Sequence, residues 1–289
     1  FRSILKILQF LKLLIFYFFE QLILFIFPLR KKSFAGEIVL ITGSANGIGR
    51  QIALKFAPSG ATLVLWDIDD ENNQETKRLA EQNGAKRVFA YHCDCSNRED
   101  VYKQADKVRE EVGDVTILIN NAGILLGKKF LDIPDADFEK TLRTNFFSQV
   151  WTCKAFLPAM MTYNHGHLVS TDNYSASKFA IMGMMEAIDW ELCCAGKHGV
   201  KITIVCPYFV HTALAKGFQS QYPLLLPVYD PDYVASRIMD AIQKDKFYLM
   251  MPPTLRFVGL KNLIPRKILL LFTSCLKVAD SLDKAFGQK

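Results

Sequence analysis

The sequence predicts an α/β fold in which one doubly wound parallel sheet is covered by helices on both faces. Between residues 37 and 250, short apolar runs alternate with amphipathic stretches, which is the pattern of such a sheet. The first apolar run leads into a glycine-rich turn and then a helix, as in a Rossmann-type arrangement. A third observation, the almost wholly apolar stretch at residues 4–27, predicts an additional N-terminal hydrophobic membrane-anchor helix.

The chain divides into three segments on this evidence. Its 289 residues suffice for one large domain, and we do not expect a second full domain. We assign residues 1–32 to the membrane anchor with its basic flank, 33–252 to a single Rossmann-fold domain, and 253–289 to a C-terminal apolar and basic segment that associates with a membrane or packs on the domain. The predicted strands are residues 37–42, 62–67, 87–91, 115–120, 166–170, 200–206 and 247–250.

The N-terminal stretch is long enough to span a bilayer, but Glu20 would be costly at the bilayer centre. A clean span and a tilted interfacial or hairpin-like anchor therefore both remain open. A buried core helix is a weaker alternative, because the run is rich in aromatic residues and has no polar face. The following Arg30, Lys31 and Lys32 predict that the domain faces the cytosol. No small-residue cleavage site follows, so we expect the anchor to be retained.

The formal net charge of +6 points to membrane phosphates rather than nucleic acid, because the basic clusters border the two apolar ends. The seven cysteines are an odd number without disulfide-scaffold spacing, which predicts reduced thiols. The C-x-C at residues 93–95 and the adjacent pair at 193–194 have no matching Cys/His partner set, so no metal site is predicted.

The glycine-rich turn predicts a dinucleotide site. Glycines are needed there because the backbone must turn sharply and approach a pyrophosphate at a helix N-terminus. Asp67 follows 18 residues after Gly49, at the end of the next predicted strand, where a carboxylate accepts hydrogen bonds from ribose hydroxyls and repels a 2′-phosphate. NAD is therefore favoured over NADP, although Arg50 is a cation that softens this discrimination. The predicted cofactor-binding residues of the turn are Thr42, Gly43, Ser44, Asn46, Gly47, Ile48 and Gly49.

Residues 37–250 resemble the short-chain dehydrogenase/reductase family, because several separate motifs occur in the family's order. After the glycine-rich turn come Asn120-Asn121-Ala122-Gly123, then Asn145, then Tyr174-x3-Lys178, and finally Pro207 with Thr212. Within the family, the segments 66–68 and 93–96 and the apolar N-terminus are most similar to the membrane-bound epidermal retinol dehydrogenases. The 17β-hydroxysteroid dehydrogenases of the endoplasmic reticulum and lipid droplets are close relatives of these.

This resemblance implies an NAD-dependent oxidoreductase and assigns further cofactor contacts. Asp94 would meet the adenine, Asn121 would line the cofactor cleft, and Thr212 would contact the nicotinamide carboxamide. Each of these residues alone is also an ordinary loop or turn residue. The remaining residues that the resemblance places at the cofactor are Ala122, Gly123, Tyr174, Lys178 and Pro207.

Tyr174 and Lys178 are four residues apart and therefore share one face of a helix. A neighbouring ammonium lowers the pKa of a phenol from about 10 toward the working pH, so that the tyrosine serves as general base or acid. The resemblance assigns Lys178 to the nicotinamide ribose as well. It assigns Asn145 to a helix kink and a proton-relay water behind the lysine.

The fourth catalytic element of the family is a serine just past the fifth strand, and here the sequence departs from the pattern. Ser170 is the candidate, with Thr171 as an alternative, but only residues 171–173 separate Ser170 from Tyr174. The family has a longer loop of small residues at this point. A misplacement of about 1 Å costs on the order of a hundredfold in rate, so we expect this version of the chain to lack full activity.

The membrane anchor and the apolar residues after the sixth strand predict a lipophilic substrate, either a retinoid or a steroid alcohol. These residues are also consistent with plain core or membrane contacts; they are Phe209, Leu214, Phe218, Tyr222 and residues 224–226. The resemblance implies localisation at the endoplasmic reticulum or lipid droplets and a homodimer. A catalytically impaired pseudoenzyme that keeps the cofactor is the alternative function. A membrane scaffold without a nucleotide site is disfavoured by Gly43, Gly47, Gly49 and Asp67 together.

Overall fold

The computed structural model describes residues 2–26, 31–125, 130–171, 176–212, 227–255 and 264–275. It contains two compact units, residues 1–32 and residues 33–289. The first unit holds helix α1 (Arg2–Ile26), which agrees with the predicted N-terminal helix. Among the described residues, no helix combines the length and the apolar character needed to cross a membrane.

The second unit is built on a seven-stranded, wholly parallel sheet with the order β3-β2-β1-β4-β5-β6-β9. The seven predicted strands are all present, each within two residues of its predicted bounds. Two further strands of two residues each, β7 and β8, pair with each other outside this sheet. The strands are β1 (Ile38–Thr42), β2 (Thr62–Asp67), β3 (Val88–His92), β4 (Ile117–Asn120), β5 (Gly166–Thr171), β6 (Val200–Pro207), β7 (Phe209–Val210), β8 (Val228–Tyr229) and β9 (Tyr248–Met251).

Helices connect the strands, and alternating side chains of each strand face opposite helical layers. Val39 and Ile41 of β1 belong to the core cluster under α2 and α8, whereas Leu40 belongs to the cluster under α4, α6 and α7. Burial on both faces explains why the strands are apolar throughout instead of alternating. The helices are α2 (Gly47–Phe56), α3 (Asp70–Gln82), α4 (Arg98–Glu111), α5 (Asp135–Leu142), α6 (Ser148–Tyr163), α7 (Ala176–Cys194), α8 (Pro231–Gln243) and α9 (Arg266–Cys275).

The strand order locates the crevice in which a ligand is expected. β1 pairs with β2 on one side and with β4 on the other, so the chain changes its direction of winding at this point. In open α/β sheets, ligands bind outside the carboxyl ends of the strands at such a switch point. The residues that end β1, β2 and β4 are Thr42, Asp67 and Asn120, which are also the positions where the sequence motifs lie.

Candidate cofactor and active site

The glycine-rich turn and the start of α2 leave no room for a side chain at Gly43 and Gly49. Gly43 and Gly47 have positive φ angles of 67° and 56°, a region that side-chain-bearing residues rarely adopt. A Cβ on Gly43 would lie 2.8 Å from Cα of Ala122, and a Cβ on Gly49 would lie 2.1 Å from the carbonyl oxygen of Gly43. The backbone is therefore closely packed at the point where the predicted pyrophosphate would approach it.

The N-terminus of α2 opens onto this turn. Its N-cap residue Asn46 is extended and makes no side-chain capping bond. The first N–H groups of the helix are then available to an anion, which the helix dipole also favours. Ile48 packs against the core, and Thr212 approaches from the far side, with its Cγ2 3.3 Å from where a Cβ of Gly47 would lie. The structure thus brings Thr212 to the glycine-rich turn, and its contact with a nicotinamide carboxamide stays a prediction.

The Asp67 carboxylate lies beside the same turn. One oxygen accepts a hydrogen bond from the backbone N–H of Ala45 at 2.8 Å, and the other accepts from that of Asp69 at 3.0 Å. Ser44 is fully buried, and its hydroxyl bonds to the carbonyl oxygen of Trp66 and the Asn73 side chain. The Ser44 side chain therefore shapes the turn from within, while Asp67 remains half-buried at the crevice.

The loop after β4 is fastened to the glycine-rich turn by two side chains. The Thr42 hydroxyl accepts hydrogen bonds from the backbone N–H groups of Asn121 and Ala122, both at 3.0 Å. The Asn121 amide donates in return to the carbonyl oxygens of Thr42 and Gly43. Asn121 and Ala122 consequently form the floor between the two loops, and their contact with a cofactor stays a prediction.

Three of the remaining predicted cofactor residues are well defined. The Asp94 carboxylate accepts from the N–H and hydroxyl of Ser96, which holds the loop between β3 and α4. Pro207 is the last, buried residue of β6. Gly123 lies beside Asn145, whose Oδ1 would be 3.4 Å from a Cβ at that position. Direct contact of these residues with a cofactor stays a prediction.

Asn145 occupies a π-helical segment, residues Arg143–Phe147, which joins α5 to α6. Such a widened turn is typical of functional sites. Asn145 is buried, its Oδ1 accepts from the N–H of Ile124 at 2.8 Å, and its amide donates to the carbonyl oxygen of Ile124 at 2.9 Å. The expected irregularity of the helix is present. Asn145 within it holds the loop segment after Gly123 through its two bonds to Ile124.

Ser170 and Thr171 end β5 and point in opposite directions. The Ser170 hydroxyl is buried and donates to Oε1 of Gln149 on α6 at 2.7 Å. The Thr171 hydroxyl donates toward the carbonyl oxygen of Asn120 and toward Oδ1 of Asn121, at 3.1 and 3.2 Å. In this arrangement Ser170 serves the contact between β5 and α6, and Thr171 faces the loop that lines the crevice. A catalytic role for Ser170 stays a prediction.

Lys178 is almost fully buried in the first turns of α7, and α7 packs against the π-helical segment that carries Asn145. A buried ammonium is expensive unless it is engaged, so its position is consistent with a functional cation. Tyr174 lies outside the described residues, as do Leu214, Phe218, Tyr222 and residues 224–226. Phe209 is described and is half-buried next to Tyr208.

The sequence motifs did not reveal a row of buried polar side chains along α6. Thr152 donates to Oδ1 of Asn120 at 2.7 Å, and the Asn120 amide lies 3.8 Å from Sγ of Cys153. Together with Gln149, which accepts from Ser170, these residues tie one helix to the ends of β4 and β5. Their spacing of three or four residues on one helix face is the signal by which they are recognisable.

The cradle fits a dinucleotide. It combines a backbone turn that a Cβ would fill, an N-terminal helix turn without a side-chain cap, and a carboxylate at the end of the neighbouring strand. These are the requirements for a pyrophosphate and an adenosine ribose. Fold and site therefore define a dinucleotide-binding α/β protein.

Comparison with known proteins specifies the family. Residues 37–223 match the short chain dehydrogenase family, and the chain belongs to it. It is 46% identical to human epidermal retinol dehydrogenase 2, covering 98% of this chain and 96% of that protein. It is 38% identical to estradiol 17-beta-dehydrogenase 11 of Macaca fascicularis, covering 100% of this chain and 98% of that protein.

A solved structure agrees with the fold. The short chain dehydrogenase/reductase from Burkholderia phymatum in complex with NAD matches with a TM-score of 0.69 and 25% identity, over 78% of this chain and 92% of that one. The protein is thus an oxidoreductase-family member related to retinol and steroid dehydrogenases.

Proposed function

We propose that the protein is an NAD-dependent oxidoreductase that oxidises a lipophilic alcohol, either a retinol or a steroid alcohol. The observation that carries this proposal is the Asp67 carboxylate, held beside the glycine-rich turn by the N–H groups of Ala45 and Asp69. Its negative charge suits ribose hydroxyls and disfavours a 2′-phosphate. The relative from Burkholderia phymatum is described in complex with NAD, which supports the same choice.

The cofactor supplies hydride transfer when it is bound. The chain itself provides the anion site of the turn, the ribose carboxylate and the floor formed by Asn121 and Ala122. In the proposed step, Tyr174 takes the proton of the alcohol, and the buried Lys178 supplies the positive charge that stabilises the phenolate. Asn145 positions the chain segment behind these groups through its two bonds to Ile124.

A lipophilic substrate is supported by the relatives named as retinol and estradiol dehydrogenases. It is also supported by α1, whose Leu11, Ile15 and Phe18 side chains are exposed. We propose that α1 places the chain at the surface of the endoplasmic reticulum or a lipid droplet with the domain on the cytosolic side. An interfacial position lets the site receive molecules that partition into lipid. Pairing of two copies through α6 and α7 belongs to the same proposal.

The test uses the full chain in detergent or in vesicles. Calorimetric titration with NADH and NADPH measures cofactor choice, and we expect NADH to bind more tightly. Turnover of retinol and of a steroid alcohol with NAD is then followed by the absorbance of NADH. Tighter binding of NADPH would contradict the choice of NAD, and binding of neither nucleotide would overturn the proposed function.

A second candidate is a catalytically impaired protein that keeps its cofactor. It is favoured by the three-residue separation of Ser170 from Tyr174 and by the engagement of the Ser170 hydroxyl with Gln149. The match to the human relative extends over 297 residues, more than the 289 of this chain, so that relative contains residues that this chain lacks. NADH binding without turnover of either alcohol would support this candidate over the first.

A further inference from the structure

Arg50 is a cation close to the proposed ribose site, yet its guanidinium is turned toward α3. Its Nε donates to the hydroxyl oxygen of Thr76 at 2.9 Å. Its Nη2 donates to the backbone oxygen of Asn72 at 3.1 Å and to Oδ1 of the same residue at 3.2 Å. Asn72 and Thr76 are one helical turn apart on α3, so together they present three acceptors to one side chain.

The two acceptor residues are themselves held in place. Thr76 is fully buried, and its hydroxyl lies 3.0 Å from the carbonyl oxygen of Ser44 and 3.3 Å from that of Ala45. The Asn72 amide donates to Oδ2 of Asp69 at 2.8 Å. Hydrogen bonds from Asn72 lower the pKa of Asp69, and the charge of Arg50 adds to this effect. Asn72 therefore bridges the cation and the carboxylate at the start of α3.

The geometry also shows how near Arg50 is to the cofactor residues. The carbonyl oxygen of Ala45 lies within hydrogen-bonding distance of the hydroxyl that receives the Arg50 Nε–H. The N–H of the same Ala45 donates to Asp67. Only the Thr76 hydroxyl and Ala45 thus lie between the Arg50 guanidinium and the Asp67 carboxylate in this series of hydrogen bonds.

We infer that Asn72 and Thr76 are positioning residues that hold the Arg50 guanidinium against α3 and keep it from pairing with a 2′-phosphate. An arginine side chain that was free to rotate beside the glycine-rich turn would bind a phosphate through its planar fork of donors. Discrimination against the phosphorylated nucleotide then depends on this clamp as well as on the charge of Asp67. The inference rests on the proposed function, because it assumes that the adenosine ribose lies at Asp67.

The experiment measures dissociation constants of NADH and NADPH for the full chain in detergent by calorimetry. The clamp is released in Asn72→Ala/Thr76→Val. We expect NADPH then to bind more tightly relative to NADH, so that the ratio of the NADPH to the NADH dissociation constant falls about tenfold, equivalent to 1.4 kcal/mol. Adding Arg50→Gln to this variant should restore the original ratio. Arg50→Gln in the unmodified chain should leave the ratio within about twofold, a change of under 0.5 kcal/mol.

Asn83→Ala is the matched control, because Asn83 is an exposed asparagine at the other end of α3 whose amide donates to the carbonyl oxygen of Leu79 in the same helix. Thermal melting checks that each variant is folded. If the double variant does not fold, Asn72→Ala alone should shift the ratio in the same direction by a smaller factor.

Two results would overturn the inference while leaving the proposed function intact. One is an unchanged ratio in a folded released variant, which would make the clamp purely structural. The other is a selective loss of NADPH binding on Arg50→Gln in the unmodified chain, which would show that Arg50 already contacts the phosphate. Failure of the unmodified chain to bind either nucleotide would instead overturn the proposed function, and the inference with it.

Discussion

At the scale of single residues, the positions at the glycine-rich turn that tolerate substitution least are its glycines, because there is no room for a side chain. The backbone oxygen of Gly43 and the Asn121 amide lie within 2.6 Å of where a Cβ of Gly49 would be placed. Neither group can move easily, because the Asn121 amide is bonded to Thr42 and Gly43. By contrast, no atom of the described residues outside its own helix backbone lies within 4 Å of where a Cβ of Gly183 on α7 would be placed.

Gly49→Ala should therefore destabilise the domain and weaken NADH binding together. Overpacking of this kind costs about 1–3 kcal/mol, which corresponds to roughly 2–4 °C of melting temperature per kcal/mol in a domain of this size. Gly183→Ala is the control and should be neutral or slightly stabilising, since alanine is the better helix former. Equal melting temperatures and equal NADH affinities in the two variants would contradict the expectation.

The cysteines offer a second test at this scale. Cys93, Cys95, Cys153 and Cys206 are buried, whereas Cys193 and Cys194 at the end of α7 are exposed. Burial raises the pKa of the Cys153 thiol to about 12, and the thiolate is the reactive form. Brief alkylation of the native chain followed by peptide mass spectrometry should label Cys193 and Cys194 and spare the four buried thiols. Rapid labelling of Cys153 would show that the α6 side of the sheet opens readily.

At the scale of elements, α6 is joined to the sheet by buried polar contacts as well as by apolar packing. The bond between Ser170 and Gln149 is one of these, and Nε2 of Gln149 has no hydrogen-bond partner among the residues that the structure describes. A buried polar group without a partner costs about 1–3 kcal/mol. The contact therefore stabilises the junction less than a fully satisfied pair would.

Ser170→Ala should lower the free energy of unfolding by about 1–3 kcal/mol, because it removes the hydroxyl that donates to the buried Gln149 Oε1. Adding Gln149→Met should recover most of this loss, since both polar partners are then replaced by apolar groups. Urea unfolding of the two single variants and the double variant measures the coupling. Additive effects would show that the two side chains do not interact in solution.

The short connection between β5 and α7 belongs to the same scale. Inserting a small-residue loop of family length after Thr171 should raise turnover by roughly ten- to a hundredfold if the connection misplaces Tyr174, because about 1 Å of misplacement has an effect of that order. NADH affinity should change less than turnover, because the glycine-rich turn and Asp67 lie outside the insertion. An insertion of equal length at the exposed Gly196 turn is the control. Equal turnover with and without the β5 insertion would show that Thr171 or Ser170 already suffices.

At the scale of the whole molecule, a parallel sheet carries the site and a separate unit carries α1. The side chains of α1 from Ile4 to Phe19 are exposed within this chain. We propose that this apolar surface contacts a membrane, since exposed apolar surfaces of this size mark interaction sites. The C-terminal α9 adds Arg266 and Lys267 beside the exposed Ile268 and Leu271, a combination that suits anionic lipid.

The full chain should accordingly float with phospholipid vesicles on a density gradient. Leu11→Lys/Ile15→Lys should reduce flotation, because two charges are placed in the apolar stretch at a cost of about 2.5–3.5 kcal/mol each near a bilayer centre and less at its surface. Tyr163→Lys, at an exposed position at the end of α6, is the matched control. Unchanged flotation of the α1 variant would show that α1 is not the segment that contacts the membrane.

The seven strands of the sheet and the glycine-rich turn were predictable from the sequence, because the signals that specify them are local. A strand buried on both faces reads as an apolar run, and a turn that needs positive φ reads as glycine. Asp67 was recognisable for the same reason, since it ends a strand at a fixed distance from the turn. The family followed from the order of several such local motifs.

Only the tertiary structure decided which way the remaining polar side chains point. Arg50 stood in the sequence as a cation that softens the choice of NAD, and the packing of α2 against α3 turns it toward Asn72 and Thr76. Ser170 stood as a catalytic candidate, and the packing of α6 on β5 bonds its hydroxyl to Gln149. The physical reason is that hydrogen bonds between elements depend on which faces meet, and neighbours in space such as residues 50 and 76 or 149 and 170 are far apart in the chain.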